Sequence, residues 1–252
     1  MSFDLDGYVI LVTGGGRGIG RATAEKLGAC GAIVGIAEID PETCRETVEA
    51  VEDLGGTAHA LVTDVSERAS LMAAAAALAN DYGRIDGVVN NAMWISYEPI
   101  PEIRDEIFDG MVAIGLKAPV WGIQALLAHM DKERGGAVVN LASPAGVLGF
   151  PNTAVYSSIK GAIIALTHTA AVELGRQGIR VNAVAPGAVP TPGARKVVDE
   201  KGYEFRKART PLGRLGTEAE IANAIAFLLS PEASFVTGEI LHADGGVSFS
   251  GA

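Results

Sequence analysis

The chain has 252 residues, 48% of them hydrophobic and 20% charged, with 20 lysines and arginines against 30 aspartates and glutamates for a formal charge of −10. This is globular composition at a length suited to one domain, and the negative charge disfavours nucleic acid and anionic membrane surfaces as partners. No apolar run stands out as the roughly 20 residues of a membrane span. The opening "MSFDLDGYVILVTGGG" lacks the basic flank of a signal peptide, and Cys30 and Cys44 show neither metal-ligand nor disulfide spacing, so a cytoplasmic protein without a metal site is expected.

Seven short, mostly apolar runs are predicted as strands, at 8–13, 32–37, 58–62, 87–90, 137–141, 180–184 and 239–243. Unbroken apolarity is the pattern of parallel strands covered on both faces, and helical patterns of about ten residues or more separate most of the runs. The fold class that follows is α/β, a single-domain doubly wound sheet of mainly parallel strands with helices on both faces.

The first run feeds "VTGGGRGIG", a glycine turn between a strand and a helix. There Gly14, Gly18 and Gly20 permit a tight turn, close backbone approach to a pyrophosphate and close helix packing, with Gly16, Arg17 and Ile19 in the same turn. A plain strand-to-helix turn is the alternative. The second run leads to Glu38, 18 residues after Gly20, where a carboxylate accepts from ribose hydroxyls and opposes a 2′-phosphate. Arg17 would attract such a phosphate, but Ile39 adds no second cation, so NAD is favoured over NADP. Past the third run, Asp64 and Val65 are placed near an adenine; Asp64 either accepts from its amino group or caps the following helix. The alanine-rich stretch 72–79 reads as packing.

The fourth run ends in "NNAM", the fifth in "NLASPAG", and "VYSSIK" at 155–160 sets Tyr156 and Lys160 four residues apart on one helix face. Alone, that spacing belongs equally to a solvated helix. The stripe Ile159, Ile163, Leu166 and Ala170 marks the helix as packed on the sheet. Residues 188–212 break the alternation, polar and punctuated by proline and glycine, and read as a loop excursion or lid whose Arg195, Lys196, Lys201, Arg206, Lys207 and Arg209 are solvated charges.

Taken together, "TGGGRGIG", "NNA" at 90–92, "YSSIK" and "APGAVPT", in this order and across nearly the whole chain, resemble the short-chain dehydrogenase/reductase family. The resemblance implies a Rossmann-like fold, a nicotinamide cofactor and a homotetramer paired through the helices around Trp121 and Tyr156. It makes Tyr156 the catalytic acid/base, Lys160 its neighbour and Ser143 the substrate anchor. Asn91 and Ala92 match the segment beside the adenosine ribose, and Pro186, Gly187, Val189 and Thr191 the loop over the nicotinamide. A phenol with a pKa near 10 is poorly matched to neutral pH, and the Lys160 ammonium is expected to lower it.

Two motif positions depart from the family. Met93 stands where glycine is usual, and Gly115 where an asparagine completes the usual tetrad, leaving only a main-chain water site at that position. Pro119, four residues on, has no N–H for the carbonyl at 115, so proline is expected to free and bend this helix while glycine tolerates the bend. Met93 and Trp94 either narrow the substrate entrance or pack in the core. Ala145, Leu148 and Phe150 make the expected substrate wall apolar, with no evident carboxylate-binding arginine. A hydrophobic secondary alcohol or ketone fits best, ahead of a 3-oxoacyl thioester, while a low-turnover dinucleotide-binding sensor or scaffold is the reading from another class.

Overall fold

Val9, Ile10, Leu11 and Val12 are each at most 1% exposed, and burial of consecutive strand residues requires a covering layer on both faces. The computed structural model, which describes residues 3–250, supplies both layers. Strands β1 (Val9–Thr13), β2 (Ile33–Glu38), β3 (Thr57–Val62), β4 (Gly87–Asn90), β5 (Gly136–Leu141), β6 (Ile179–Pro186) and β7 (Ile240–Ala243) form one sheet in the order β3-β2-β1-β4-β5-β6-β7. Every pairing is parallel, with Leu11 opposite Gly35 on one side and Val88 on the other. All seven runs read from the sequence are present, with ends displaced by one or two residues.

The helices are α1 (Gly18–Ala29), α2 (Pro41–Asp53), α3 (Arg68–Tyr82), α4 (Asp105–Val112), α5 (Ala118–His129), α6 (Ala154–Leu174), α7 (Glu200–Arg209) and α8 (Glu218–Leu229). Ile10 and Val12 point into a core with Leu27 of α1 and Ile221 and Ile225 of α8, whereas Val9 and Leu11 point into one with Leu71 and Leu78 of α3 and Leu126 of α5. The expected stripe on α6 is buried at Ile159, Ile163 and Ala170.

A buried polar relay ties the second layer together. Asn90 Nδ2 donates to Asn140 Oδ1 at 2.8 Å and to the Pro119 carbonyl at 3.3 Å, and Asn140 Nδ2 donates to Thr167 Oγ1 at 3.0 Å. The relay joins β4, β5, α5 and α6. Gly122 admits it, because a Cβ there would lie 2.1 Å from Asn90 Oδ1.

Two expectations need correcting. Helices α4 and α5, with the π-helical segment Ala113–Lys117 between them, run on as one 25-residue helix long and apolar enough to cross a bilayer. Met111, Ala118, Ile123 and Leu126 bury its inner face, however, which is the pattern of a core helix. The excursion at 188–212 is also not all loop, for its middle forms α7. Asp199 accepts the Gly202 N–H at 2.8 Å to start that helix, and Arg206, Lys207 and Arg209 close it at the end where cations complement the dipole. No apolar stripe announces α7, so periodicity does not detect it.

The core assignment is checked by chemical denaturation. Leu126→Ala is expected to cost about 2–5 kcal/mol, while Val62→Ala, on the exposed side of edge strand β3, stays within about 0.5 kcal/mol.

Candidate active site

The carboxyl ends of the strands open onto one cavity of about 680 Å³, centred where the strand order reverses between β1 and β4. Its nucleotide side is built on the turn after β1. Gly14 and Gly18 have φ of +63° and +58°, conformations that residues bearing a Cβ rarely adopt. Gly20 lies beneath the turn, where a Cβ would fall 2.0 Å from the Gly14 carbonyl oxygen. The first amides of α1 have no side-chain cap and the first turn carries no acid. An uncapped helix start facing a cavity suits a pyrophosphate, so the residues fit the dinucleotide that the glycine pattern implies.

Two side chains expected to meet the cofactor, Asn91 and Glu38, line the cavity and also hold this cradle. Asn91 Nδ2 donates to the carbonyls of Thr13 at 2.9 Å and Gly14 at 3.0 Å, which commits its amide to the turn. Glu38 is 5% exposed and accepts from the N–H groups of Gly16 and Ile39, each at 3.0 Å. Gly16 and Gly20 therefore act from behind the cavity wall. Arg17, Ile19, Val65, Ala92, Pro186, Gly187, Val189 and Thr191 line it directly. Asp64 does so too, with Oδ1 already accepting from the N–H and hydroxyl of Ser66 at 2.9 and 2.7 Å.

On the opposite side, β5 delivers Ser143 and the first two turns of α6 deliver Tyr156 and Lys160. Their relative placement rests on Gly146. A Cβ there would lie 2.8 Å from the Lys160 carbonyl carbon and 2.9 Å from its oxygen, so only glycine lets the serine loop approach the α6 backbone this closely. Ser143 Oγ accepts from the Ala145 N–H at 3.2 Å and stands within hydrogen-bonding reach of the Tyr156 phenol. Lys160 is buried, and its Nζ donates to the Leu141 carbonyl at 2.6 Å and lies 5.7 Å from the centre of the Tyr156 ring.

The electrostatics differ from expectation. Burial pushes the Tyr156 phenol above its ordinary range, the Tyr97 phenol adds to the rise, and the groups pulling it down are Ser143 and Arg206 rather than Lys160. Burial also lowers Lys160 to about 8, so its own desolvation works against the charge that was expected to lower Tyr156.

Where the sequence departs from the usual motif, two unusual residues meet. A Cβ on Gly115 would lie 2.7 Å from Met93 Sδ and 2.9 Å from Ile159 Cγ2. The Met93 thioether thus fills the volume that a side chain at 115 would take, while Met93 also lines the cavity. Gly115 is the middle residue of the π segment, where the Ala118 N–H bonds the Ala113 carbonyl across five residues. This widened turn lies where Pro119 denies the carbonyl at 115 its α-helical partner. Trp94 packs over Gly110 of α4, within 2.5 Å of a Cβ position there, and reaches the cavity edge.

Ala145 and Phe150 line the cavity as expected, but Leu148 does not. Residues not foreseen line it as well, among them Tyr97, Tyr203 and Arg206. Tyr97 sets its ring edge-on to Tyr156, centroids 5.7 Å apart at 74°, and Arg206 of α7 lines the same cavity, its charge opposing the rise that burial gives the Tyr97 phenol. Arg206 is therefore not a solvated lid charge, and the pocket does contain an arginine. An aromatic residue just beyond "NNAM" was the available signal for Tyr97, whereas nothing local distinguishes Arg206 from Lys207.

The Met93 and Gly115 contact makes a reciprocal prediction. Gly115→Asn alone should lower stability by about 1–3 kcal/mol through overpacking, and adding Met93→Gly should recover most of that loss. Denaturant midpoints of the four proteins in the cycle measure the coupling.

The comparisons with known proteins agree with this architecture. A family model described as enoyl-(acyl carrier protein) reductase matches residues 14–248. The 2,5-dichloro-2,5-cyclohexadiene-1,4-diol dehydrogenase of Sphingobium indicum is 40% identical, covering 96% of this chain and 98% of that protein. The 3-oxoacyl-[acyl-carrier-protein] reductase FabG of Thermotoga maritima is 37% identical over 96% of this chain and 98% of its own. The crystal structure of levodione reductase superposes with a TM-score of 0.89 at 36% identity, covering 96% of this chain and 97% of that one. With its parallel seven-stranded sheet, glycine turn and serine, tyrosine and lysine on one cavity wall, the chain belongs to the short-chain dehydrogenase/reductase family of oxidoreductases that use nicotinamide dinucleotides.

Proposed function

We propose that the protein is an NAD-dependent oxidoreductase interconverting a secondary alcohol and a ketone, with Tyr156 as acid/base. The observation that carries this reading is the convergence of Ser143, Tyr156 and Lys160 on the cavity wall facing the glycine turn. The bound nicotinamide supplies or accepts the hydride.

The chain's own residues handle the oxygen and its proton. Ser143 holds the substrate oxygen and stabilises charge developing there. Tyr156, half-buried and held in its protonated form at neutral pH, donates to that oxygen in reduction and accepts from it in oxidation. Lys160, with a pKa of about 8, exchanges its proton near neutrality and keeps the buried site able to change charge. Met93, Ala145 and Phe150 provide an apolar surface for the carbon skeleton.

Preference for NAD is supported by Glu38. Its carboxylate, fixed by two main-chain amides at the end of β2, opposes a 2′-phosphate there. The family likeness also supports pairing through α5 and α6 into a homotetramer. A 3-oxoacyl thioester is the second substrate class, favoured by the cations of the lid and by the name of the Thermotoga maritima relative.

Steady-state kinetics with cyclic, aryl and aliphatic ketones, with a 3-oxoacyl thioester beside them, and with NADH and NADPH in parallel, test the reading. The expected result is ketone turnover with NADH favoured, lost by at least about 100-fold in Tyr156→Phe while NADH binding persists. NADPH preference would overturn the role given to Glu38, retained activity in Tyr156→Phe the mechanism, and NADH binding without turnover would favour a sensor.

A further inference from the structure

One polar cluster in the cavity is left unused by transfer of the hydride and proton. Tyr97, from the segment joining β4 to α4, stands edge-on to Tyr156. Tyr203 of α7 is 7% exposed, lines the same cavity, and its hydroxyl has no hydrogen-bond partner among the described residues. A buried phenol without a partner is destabilising, and a ligand oxygen would remove that cost. The Arg195 guanidinium lies over the Tyr203 ring, 5.7 Å from its centre. Arg206, nearly one turn after Tyr203, lines the cavity with Tyr97, Tyr156 and Tyr203, and its charge opposes the burial-driven rise in all three phenols.

The charge inventory points the same way. The described residues lining the cavity include five cations, Arg17, Lys160, Lys196, Arg206 and Arg209, and two acids, Glu38 and Asp64. In the whole chain acids outnumber cations 30 to 20. Both lining acids sit beyond β2 and β3, on the adenosine side, so the substrate side carries positive charge alone.

Resting on the oxidoreductase reading above, we propose that Arg206, with Tyr97 and Tyr203, forms a subsite for a carboxylate carried by the substrate a few bonds from its reacting carbon. The substrate class is then a small oxo acid or the corresponding hydroxy acid. A guanidinium presents paired donors that match the two oxygens of a carboxylate, and the phenols add donors of their own. Distance fixes the size. Tyr97 packs edge-on against Tyr156 and lines the cavity together with Arg206, so an anion on Arg206 lies on the same wall as the reacting oxygen, with Met93, Ala145 and Phe150 receiving the carbons between. A carrier or coenzyme A thioester places its phosphates at the far end of a pantetheine arm, too remote to meet this cluster.

The experiment compares 4-oxopentanoate and 5-oxohexanoate with their methyl esters, using wild type, Arg206→Met, Arg206→Lys and Tyr203→Phe. Wild type should favour each acid over its ester by about 10- to 100-fold in kcat/KM, mainly through KM. The ratio should collapse toward one in Arg206→Met, return in part in Arg206→Lys, and fall severalfold in Tyr203→Phe. Calorimetric titration of 4-oxopentanoate into the NADH-loaded proteins reads the same subsite without turnover, and binding lost in Arg206→Met supports it even where no ketone is reduced. Esters used as well as acids, or an acid preference that survives Arg206→Met, would overturn the subsite while leaving the oxidoreductase reading intact. Weak carboxylate binding that is equal in wild type and Arg206→Met would overturn it as well.

Discussion

The site depends on one close approach between two backbones. The loop that carries Ser143 leaves β5 and comes down on α6 so tightly that even a methyl group on Gly146 would lie within 3 Å of the Lys160 peptide. Ser143 comes from the end of a strand, Tyr156 and Lys160 from a helix, and this contact sets how closely they approach. The Lys160 bond to the Leu141 carbonyl fastens the same two elements from the other side. The buried relay from Asn90 through Asn140 to Thr167 then locks α6 to β4 and β5. Reacting groups held by main-chain contact and buried hydrogen bonds need little reorganisation when a substrate binds.

Against that fixed frame, the residues that depart from the family pattern make a trade of volume. Met93 occupies the space beside Gly115, and the π segment with Pro119 widens the helix turn behind it. The result is a thioether on the cavity wall in place of a polar side chain in the helix. This makes the surroundings of Tyr156 more apolar, in keeping with a phenol whose largest perturbation is desolvation. Ser143 and, to a smaller extent, Arg206 of α7 act in the opposite sense. The proton affinity of the site is therefore set chiefly by burial, reinforced by Tyr97 and opposed by Ser143 and Arg206, with Lys160 close by but itself depressed by burial.

Much of this was legible in the sequence because it is encoded locally. Unbroken apolar runs marked all seven strands, and the glycine turn, Glu38 and the Tyr156–Lys160 spacing each sit within a few residues of the strand or helix that positions them. The loss of an α-helical partner for the Gly115 carbonyl was legible for the same reason, since a proline acts on its own helix. What escaped depends on contacts between distant segments. Asn91 lines the cavity as expected, but that its amide also bonds carbonyls some 77 residues earlier had no local signal. Helix α7 has no apolar stripe, so Arg206 looked like any lid cation until the fold set it against Tyr97. The Met93 and Gly115 pair consisted of two separate oddities until three elements brought them together.

The most direct test of the central claim is the kinetic and binding behaviour of Gly146→Val. If the approach of the serine loop to α6 positions the catalytic groups, displacing the loop by even about 1 Å should lower kcat by about 100-fold. The dissociation constant for NADH and the near-ultraviolet circular dichroism should stay close to wild type, because the glycine turn lies across the cavity. A Gly146→Val protein that folds, binds NADH and retains wild-type kcat would contradict the account.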